Sequence, residues 1–314
     1  MKVLILAGGF ATRLWPLSEK RTKPLLHVGG KPIVSHMVEK IPEELDIIVS
    51  TNEQFKDHFE KWRQNNFPER KIIIFAEPSK SEDEKKGAVG AINYAIQEHN
   101  IEDDLLVLAG DNLFTFDLGD FVRNFKGNAV VALYDIQDKE AAKKFGVVSV
   151  QDGKIVDFEE KPLEPKSTTV ATLCYVLPKE SLGHLEEFAK TGKDNAGDFI
   201  AYLIKDTPLV VEPYVFKGHW FDIGSFEAYL EANKKIQKEP IISEGTSVCK
   251  DSKIIGSSFI APGAKIENSL LENSVIMENS KIINSTLRNC VVDDNCVIKD
   301  VTLENQLIRN KSII

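Results

Sequence analysis

The chain has 314 residues, 42% of them hydrophobic and 28% charged, which suffices for a sizeable core and excludes a disordered or collagen-like chain. Its formal charge of −9 argues against nonspecific attachment to nucleic acid or acidic lipid. No apolar run approaches the roughly 18 residues of a membrane span, and residues 3–7 are too short for a signal-peptide core, so a mature cytoplasmic chain is expected. Cys174, Cys249, Cys290 and Cys296 form no CxxC pair, which leaves neither a zinc site nor a disulfide frame.

Short apolar runs at 3–7, 46–50, 71–75 and 105–109 are each bounded by Gly, Pro, Asn or acidic residues and predict strands. Helical spacing lies between them at 32–41, 54–63 and 88–97, and further strands are expected at 154–159 and 169–176. This βαβα order predicts an α/β fold with a doubly wound, Rossmann-like mixed sheet, mostly parallel, with ligands at the carboxyl ends of its strands.

Gly8-Gly9 follows the first strand directly, where bare backbone can approach a phosphate and donate its amides. The loop fits neither GxGxxG nor GxxxxGK[ST]. Arg13, Lys20, Arg21 and Lys23 stand close behind it, a density of basic groups that suits a polyphosphate. From the residues alone, a solvated turn competes with that reading. Gly110-Asp111 ends the 105–109 strand and is equally a turn or a presented carboxylate. Asp222 precedes a predicted helix at 225–236 and is either an N-cap or a site carboxylate, although Ser225 is the better-placed cap. Glu159-Glu160-Lys161 read alone is an exposed charged edge.

The composition breaks near residue 240: no Trp or Tyr follows Tyr229, and Phe259 is the one aromatic residue beyond it. Ile242, Val248, Ile254, Ile260 and Ile266 recur every six residues, and Asn-Ser or Asn-Cys pairs then recur every five or six. A helix wants spacings of three and four and an ordinary strand wants two. Spacing of six predicts a β-solenoid of about four coils at roughly 18 residues per coil, with inward Ile and Val stacked coil on coil. Domains are therefore expected at 1–236 and 237–314.

Several of these stretches together resemble the sugar-1-phosphate nucleotidyltransferases, of the glucose-1-phosphate thymidylyltransferase and mannose-1-phosphate guanylyltransferase type. GGFATRLWPLSEKRTKPLL is similar to their signature GGxGTRLxPxTxxxPKxL, with Ala11 for a glycine and Ser18 for a threonine. VLAGDNLF, FGVVSVQDGKIVDFEEKP and HWFDIGS follow in the order the family keeps, and a left-handed β-helix of hexapeptide repeats is a common appendage there. The resemblance implies that Arg13 stabilises the triphosphate and that Lys23 contacts phosphate and takes part in catalysis. Lys20 and Arg21 receive no role and are expected in solvent. Asp111 and Asp222 would hold Mg²⁺, with Asp111 also catalytic. Leu6, Ala7, Gly8, Gly9, Glu77 and Gly87 would line the nucleotide, with Gly87 close to the ribose or base. Lys161 would hold the sugar phosphate, Glu160 the sugar hydroxyls, and Gly146 would let the ring lie against backbone. Where the family shows a glycine near residues 172–175, this chain has Leu173, which would narrow or redirect the sugar pocket.

The implied reaction joins a nucleoside triphosphate and a hexose 1-phosphate. Thymidylyl and uridylyl members tend to have glutamine at the position of Glu77. A carboxylate only accepts hydrogen bonds and so suits the adjacent N1–H and N2 donors of guanine. The reading leans to GTP with mannose 1-phosphate, with dTTP or UTP and glucose 1-phosphate as the alternative. An acyltransferase seated in the solenoid is disfavoured, because that chemistry generally wants a histidine base and the last histidine is His219. A non-catalytic scaffold would be expected to lack Arg13, Lys23, Asp111 or Asp222, and all four are present. The solenoid is expected to mediate homo-oligomerisation and to carry no chemistry.

Overall fold

The structure, a computed structural model, describes residues 1–9, 14–19, 21–78 and 87–314, so Arg13, Lys20 and the charged run at 80–86 lie outside the described residues. The chain forms two compact units, Met1–Gly9 with Val34–Trp220, and Phe10–Ile33 with Phe221–Ile314.

A nine-stranded mixed sheet organises the first unit. Its order runs Lys154–Glu160, Gly146–Gln151, Thr169–Leu177, Leu105–Ala109, Lys2–Leu6, Ile47–Asn52, Ile72–Glu77, and Ala129–Asp135 pairs with both Thr169–Leu177 and Val211–Val215. The four strands expected first are parallel. Thr169–Leu177 then runs antiparallel to Leu105–Ala109, which makes the doubly wound sheet mixed. Leu105–Ala109 is buried along its whole length, as a central strand covered on both faces must be. Helix Gly87–Glu98 turns Val89, Ala91, Ile92 and Ala95 inward, and Ala196–Asp206 turns in Phe199, Ile200 and Leu203. Both faces join one apolar core with Leu4, Ile48 and Val107. Asn195 caps the second helix, its side-chain oxygen accepting from the Gly197 amide at 2.7 Å.

Sequence and structure agree on the strand at 105–109 and differ by one or two residues at the other early strands. The first helix is shorter than expected, Ile33–Val38. Strands Ala129–Asp135 and Val211–Val215 and helix Ala196–Asp206 carry no sequence expectation at all. They pair with or pack on residues far away in the chain, and local spacing does not reveal such partners.

The second unit holds the solenoid. Three parallel sheets run along it, beginning at Ile241–Ile242, Ser247–Val248 and Lys253–Ile255, and they define four complete coils and the start of a fifth. Ile242, Ile260, Ile276, Val292 and Ile308 stack in register in one sheet, so the repeat is 18 residues at first and 16 thereafter. The shortening comes from the corners. Asn268, Asn273, Asn279, Asn284, Asn289 and Asn295 all adopt left-handed backbone, which asparagine tolerates better than most residues. The serine or cysteine after each asparagine is buried or nearly so. Ser258 Oγ accepts from the Ser274 amide at 3.1 Å, and Ser274 Oγ accepts from the Cys290 amide at 3.1 Å. Ser269 and Ser285 repeat this ladder on another edge.

The same unit contains residues 14–19 and 21–33, which we call the strap, and the helix Phe226–Ile236. Tyr229 donates to His27 O at 2.6 Å, and Asn233 Oδ1 accepts from the Gly29 amide at 3.1 Å. Gln237 Nε2 donates to Ser258 O at 2.6 Å. His27 stacks on Phe259 at 5.3 Å between ring centroids. Burial, and secondly the charge of Arg21, hold its imidazole pKa at about 4, so His27 is neutral at pH 7. A covalent boundary at 236 therefore differs from the compact grouping, because these contacts bind the strap to the repeats.

Candidate functional site

Glycine loop, the Glu77 carboxylate and a polar strand end meet in the first unit. Leu6 ends the first strand, and its carbonyl accepts from the Gly110 amide at 2.8 Å. Ala7 donates its amide to Ser50 O at 2.7 Å, and Asn52 Nδ2 donates to Gly8 O at 3.3 Å. Ser50 Oγ donates to Glu77 Oε1 at 2.6 Å in a buried pair. A Cβ at Gly8 would lie 3.0 Å from that same Glu77 oxygen, so a side chain there would crowd the carboxylate. Gly9, by contrast, is exposed and has nothing within 4 Å of its Cβ position. Glu77 is 5% exposed. The sequence singled out Gly8 and Glu77 but not Ser50 or Asn52. Their signal is a polar Ser50-Thr51-Asn52 end on a strand that is buried at every position.

Gly87 opens its helix with φ +64°, and a Cβ there would lie 2.3 Å from Asp194 Cβ. The Val89 amide donates to Asp194 O at 3.0 Å. The bare α-carbon thus meets the Asp194 segment, a packing reason for glycine that the sequence did not suggest.

Glu160 and Lys161 lie at the end of strand Lys154–Glu160, where Gly146 is paired opposite Glu160. A Cβ at Gly146 would fall 2.3 Å from the Phe158 ring and 3.1 Å from Glu160 Oε2. Gly197 is equally close-packed, 2.6 Å from the same oxygen. The two glycines make room for Phe158 and the Glu160 carboxylate. Lys161 Nζ lies 3.3 Å from Glu160 Oε1, and the Lys161 backbone is left-handed, φ 46°. Buried Tyr175 has its pKa raised, by desolvation first and by the Glu160 charge second.

Leu173 adopts φ 50° where the pairing of Thr169–Leu177 with Ala129–Asp135 breaks register, between Ala171 and Tyr175. Its side chain packs against the sheet core. The backbone here has the form that glycine adopts freely, and this chain holds it with leucine.

Asp111 follows Gly110 in a turn and is half-buried. Trp220, two residues before Asp222, donates its indole N–H to Asn112 Oδ1 at 2.7 Å, and the His219 amide donates to Thr115 Oγ1 at 2.8 Å. Asp222 itself is exposed, and the cap of the following helix is Ser225, whose Oγ accepts from the Ala228 amide at 3.2 Å. The N-cap explanation for Asp222 is thereby removed. Among the described residues no three His, Cys, Asp or Glu side chains gather into a metal-sized group.

In the second unit, Lys23 opens a 3-10 turn, Lys23–Leu25, after fully buried Thr22. The Leu26 amide donates to Lys23 O at 2.9 Å. Arg21 is not in solvent as expected. It meets Asp293 at 3.1 Å and also pairs with Asp294, with 19% of its side chain exposed. Among the described residues no helix is long and apolar enough to cross a membrane.

Residues 2–239 match the family model described as nucleotidyl transferase, and residues 226–303 match that described as GlmU-like, C-terminal hexapeptide. The bifunctional protein GlmU of Methanocaldococcus jannaschii is 31% identical over 74% of this chain, which spans about half of that protein (54%). A Sulfolobus acidocaldarius protein assigned as a mannose-1-phosphate guanyltransferase is 26% identical over 86% of this chain and 76% of its own. The UTP–glucose-1-phosphate uridylyltransferase AglF of Haloferax volcanii is 28% identical over 76% of this chain and 98% of its own. Among solved structures, a Bacillus anthracis protein assigned as a glucose-1-phosphate thymidylyltransferase, in complex with a sucrose, aligns with TM-score 0.65 at 28% identity. That match covers 74% of this chain and 94% of the other.

Proposed function

The chain belongs to the nucleotidyl transferase family, and on that premise we propose that it joins a nucleoside triphosphate to a hexose 1-phosphate, giving an NDP-sugar and pyrophosphate. The observation that carries the reading is the cradle in which Gly8 abuts the buried Glu77 carboxylate, with Ser50 and Asn52 fixing both. Leu6, Ala7, Gly8 and Gly9 line the nucleotide in this reading, Glu77 faces the base, and Gly87 opens the helix beside them. Glu160 accepts from sugar hydroxyls, Lys161 holds the sugar phosphate, and Gly146 completes that side.

A non-bridging oxygen of the sugar phosphate attacks the α-phosphorus and forms the new P–O bond. The bond from that phosphorus to the β-phosphate bridging oxygen breaks, and its electron pair leaves with pyrophosphate. Both reactants are anionic, so the residues must offset repulsion before they can accelerate anything. Arg13 and Lys23 do so from the signature segment. Asp111 and Asp222 are hard oxygen donors and would hold Mg²⁺ together with substrate phosphates, a donor set that suits this ion. The ion would supply further charge neutralisation. No covalent enzyme intermediate is required.

Glu77 favours guanine, since a carboxylate only accepts and guanine offers two neighbouring donors. Pyrophosphate release from GTP, dTTP, UTP, ATP and CTP, each with mannose or glucose 1-phosphate, tests the substrates. GTP with mannose 1-phosphate is expected to be fastest, and a preference for dTTP or UTP with glucose 1-phosphate replaces that lean. No turnover with any pair, with or without Mg²⁺, would leave a non-catalytic relative. Asp111→Asn should lower kcat by about 10³-fold with an unchanged circular dichroism spectrum. A near-normal rate at saturating Mg²⁺ removes Asp111 from the metal role. The solenoid is the element proposed to join copies of the chain, as a cytoplasmic homo-oligomer.

A further inference from the structure

The strap follows the solenoid coil by coil. Gly30 lies against Ile241 of the first coil, at 3.1 Å from its Cβ position. His27 stacks on Phe259 of the second. Arg21 reaches Met277 Sδ at 3.7 Å on the third coil and pairs with Asp293 and Asp294 on the fourth. Glu19 accepts two hydrogen bonds from Arg309 on the fifth, at 2.7 and 3.0 Å, and the same guanidinium lies 5.5 Å from the Trp15 ring.

Three of these contact residues, Met277, Asp293 and Arg309, fall on one column of the repeat. Because Ile276, Val292 and Ile308 are in register, so are the residues that follow them: Met277, Asp293 and Arg309. The equivalent residue of the second coil is Ala261. The column is apolar at Ala261 and Met277, both 2% exposed or less, and then becomes a carboxylate that is also 2% exposed. A buried carboxylate at an apolar repeat position is destabilising unless it is paired. Its partner is Arg21. The anchor is preorganised by the solenoid's own backbone. Asp293 Oδ1 accepts from the Asp294 amide at 2.8 Å, and Asp294 Oδ1 accepts from the Glu278 amide at 3.0 Å. Lys23 stands two residues beyond Arg21, with buried Thr22 between them.

We propose that the solenoid sets the Lys23 turn: Asp293 and Asp294 grip Arg21, and Arg21 is a positioning residue that fixes that turn. The proposal rests on the catalytic reading of Lys23 given above. It reverses the expectation that the repeats carry no part of the chemistry and that Arg21 is a solvated charge. A chain cut after Gln237 would keep Lys23 and lose both carboxylates that hold its turn.

The test compares full-length wild type, Asp293→Asn, Arg21→Lys, Lys23→Ala and Lys23→Ala with Asp293→Asn. Pyrophosphate release gives kcat and KM, and hydrogen exchange is read at the Leu25 and Leu26 amides, which donate to Thr22 O and Lys23 O. Asp293→Asn should speed exchange at both amides about tenfold and lower kcat by about 10-fold or more, since small misplacements of a catalytic group cost that much. KM for the sugar phosphate should stay unchanged, and Arg21→Lys should keep most of kcat. In the Lys23→Ala background, Asp293→Asn should reduce kcat no further, because the lost group is the one being positioned. Should Asp293→Asn fold poorly, Glu19→Gln loosens the outer, exposed pair and should give smaller changes of the same kind. Wild-type exchange in Asp293→Asn overturns the grip, and multiplied losses in the double variant overturn the route through Lys23. A fully active Lys23→Ala sinks the underlying reading of Lys23, whereas the exchange rates at Leu25 and Leu26 still decide whether the acidic pair holds the turn.

Discussion

The solenoid corners and the Glu160–Leu173 side of the sheet both place residues with side chains at positive φ, and they sustain it in different ways. In the solenoid the residue is asparagine at corner after corner, with φ between 43° and 59° from Asn268 to Asn305. Each asparagine tolerates the left-handed form, and several gain hydrogen bonds by it. Asn284, for example, accepts from Asn268 at 3.3 Å and donates to Asp300 at 2.9 Å. In and beside the sheet the residues are Lys161 and Leu173, which lack the short amide side chain that lets asparagine tolerate this form. For an ordinary side chain that conformation costs about 1–2 kcal/mol, and surrounding structure has to impose it. One region repeats a cheap local solution for architecture. The other holds costly conformers beside the residues assigned to the sugar.

Lys161→Gly breaks the comparison most sharply, because it relieves backbone strain and removes the ammonium together. KM for the sugar phosphate should rise by about tenfold or more, while the melting temperature stays level or rises. An unchanged KM would make Lys161 an ordinary surface residue. A smaller effect is expected at Asn284. Asn284→Ala should destabilise the solenoid by about 1–2 kcal/mol, and Asn284→Gly by clearly less, since glycine keeps the conformer and loses only side-chain bonds. Equal losses in chemical denaturation would mean that the hydrogen bonds, not the backbone, set the corner. The smallest change belongs to Leu173→Gly, where relief of strain and loss of packing oppose each other. Its stability should stay within about 1 kcal/mol of wild type, with Leu173→Ala less stable than Leu173→Gly by about the same amount. That order is the reverse of the usual strand preference, and the usual order would dismiss the strain at residue 173.

Much of the candidate site was legible because the motifs that carry the family resemblance are local runs of sequence. A glycine pair after an apolar run, a Gly-Asp at a strand end and a Glu-Glu-Lys before proline can be found without knowing what lies opposite them. The reasons behind several of them were not legible. Gly87 meets Asp194, and Gly146 meets Phe158, across sequence separations that no spacing rule spans. Ser50 and Asn52 stayed hidden as the polar end of an apolar strand until the sheet placed Glu77 alongside.

By itself the sequence determined the order of strands and helices in the first part of the sheet and the coil count of the solenoid. Both follow from periodicity, and periodicity is a property of neighbours in the chain. Tertiary structure alone decided what the departures from periodicity mean. The repeat spacing does not single out Asp293 and Asp294, and Arg21 reads in sequence as one more charge in a basic loop. Burial turns them into an ion pair, because a carboxylate withdrawn from water needs a partner, and here that partner lies 272 residues away.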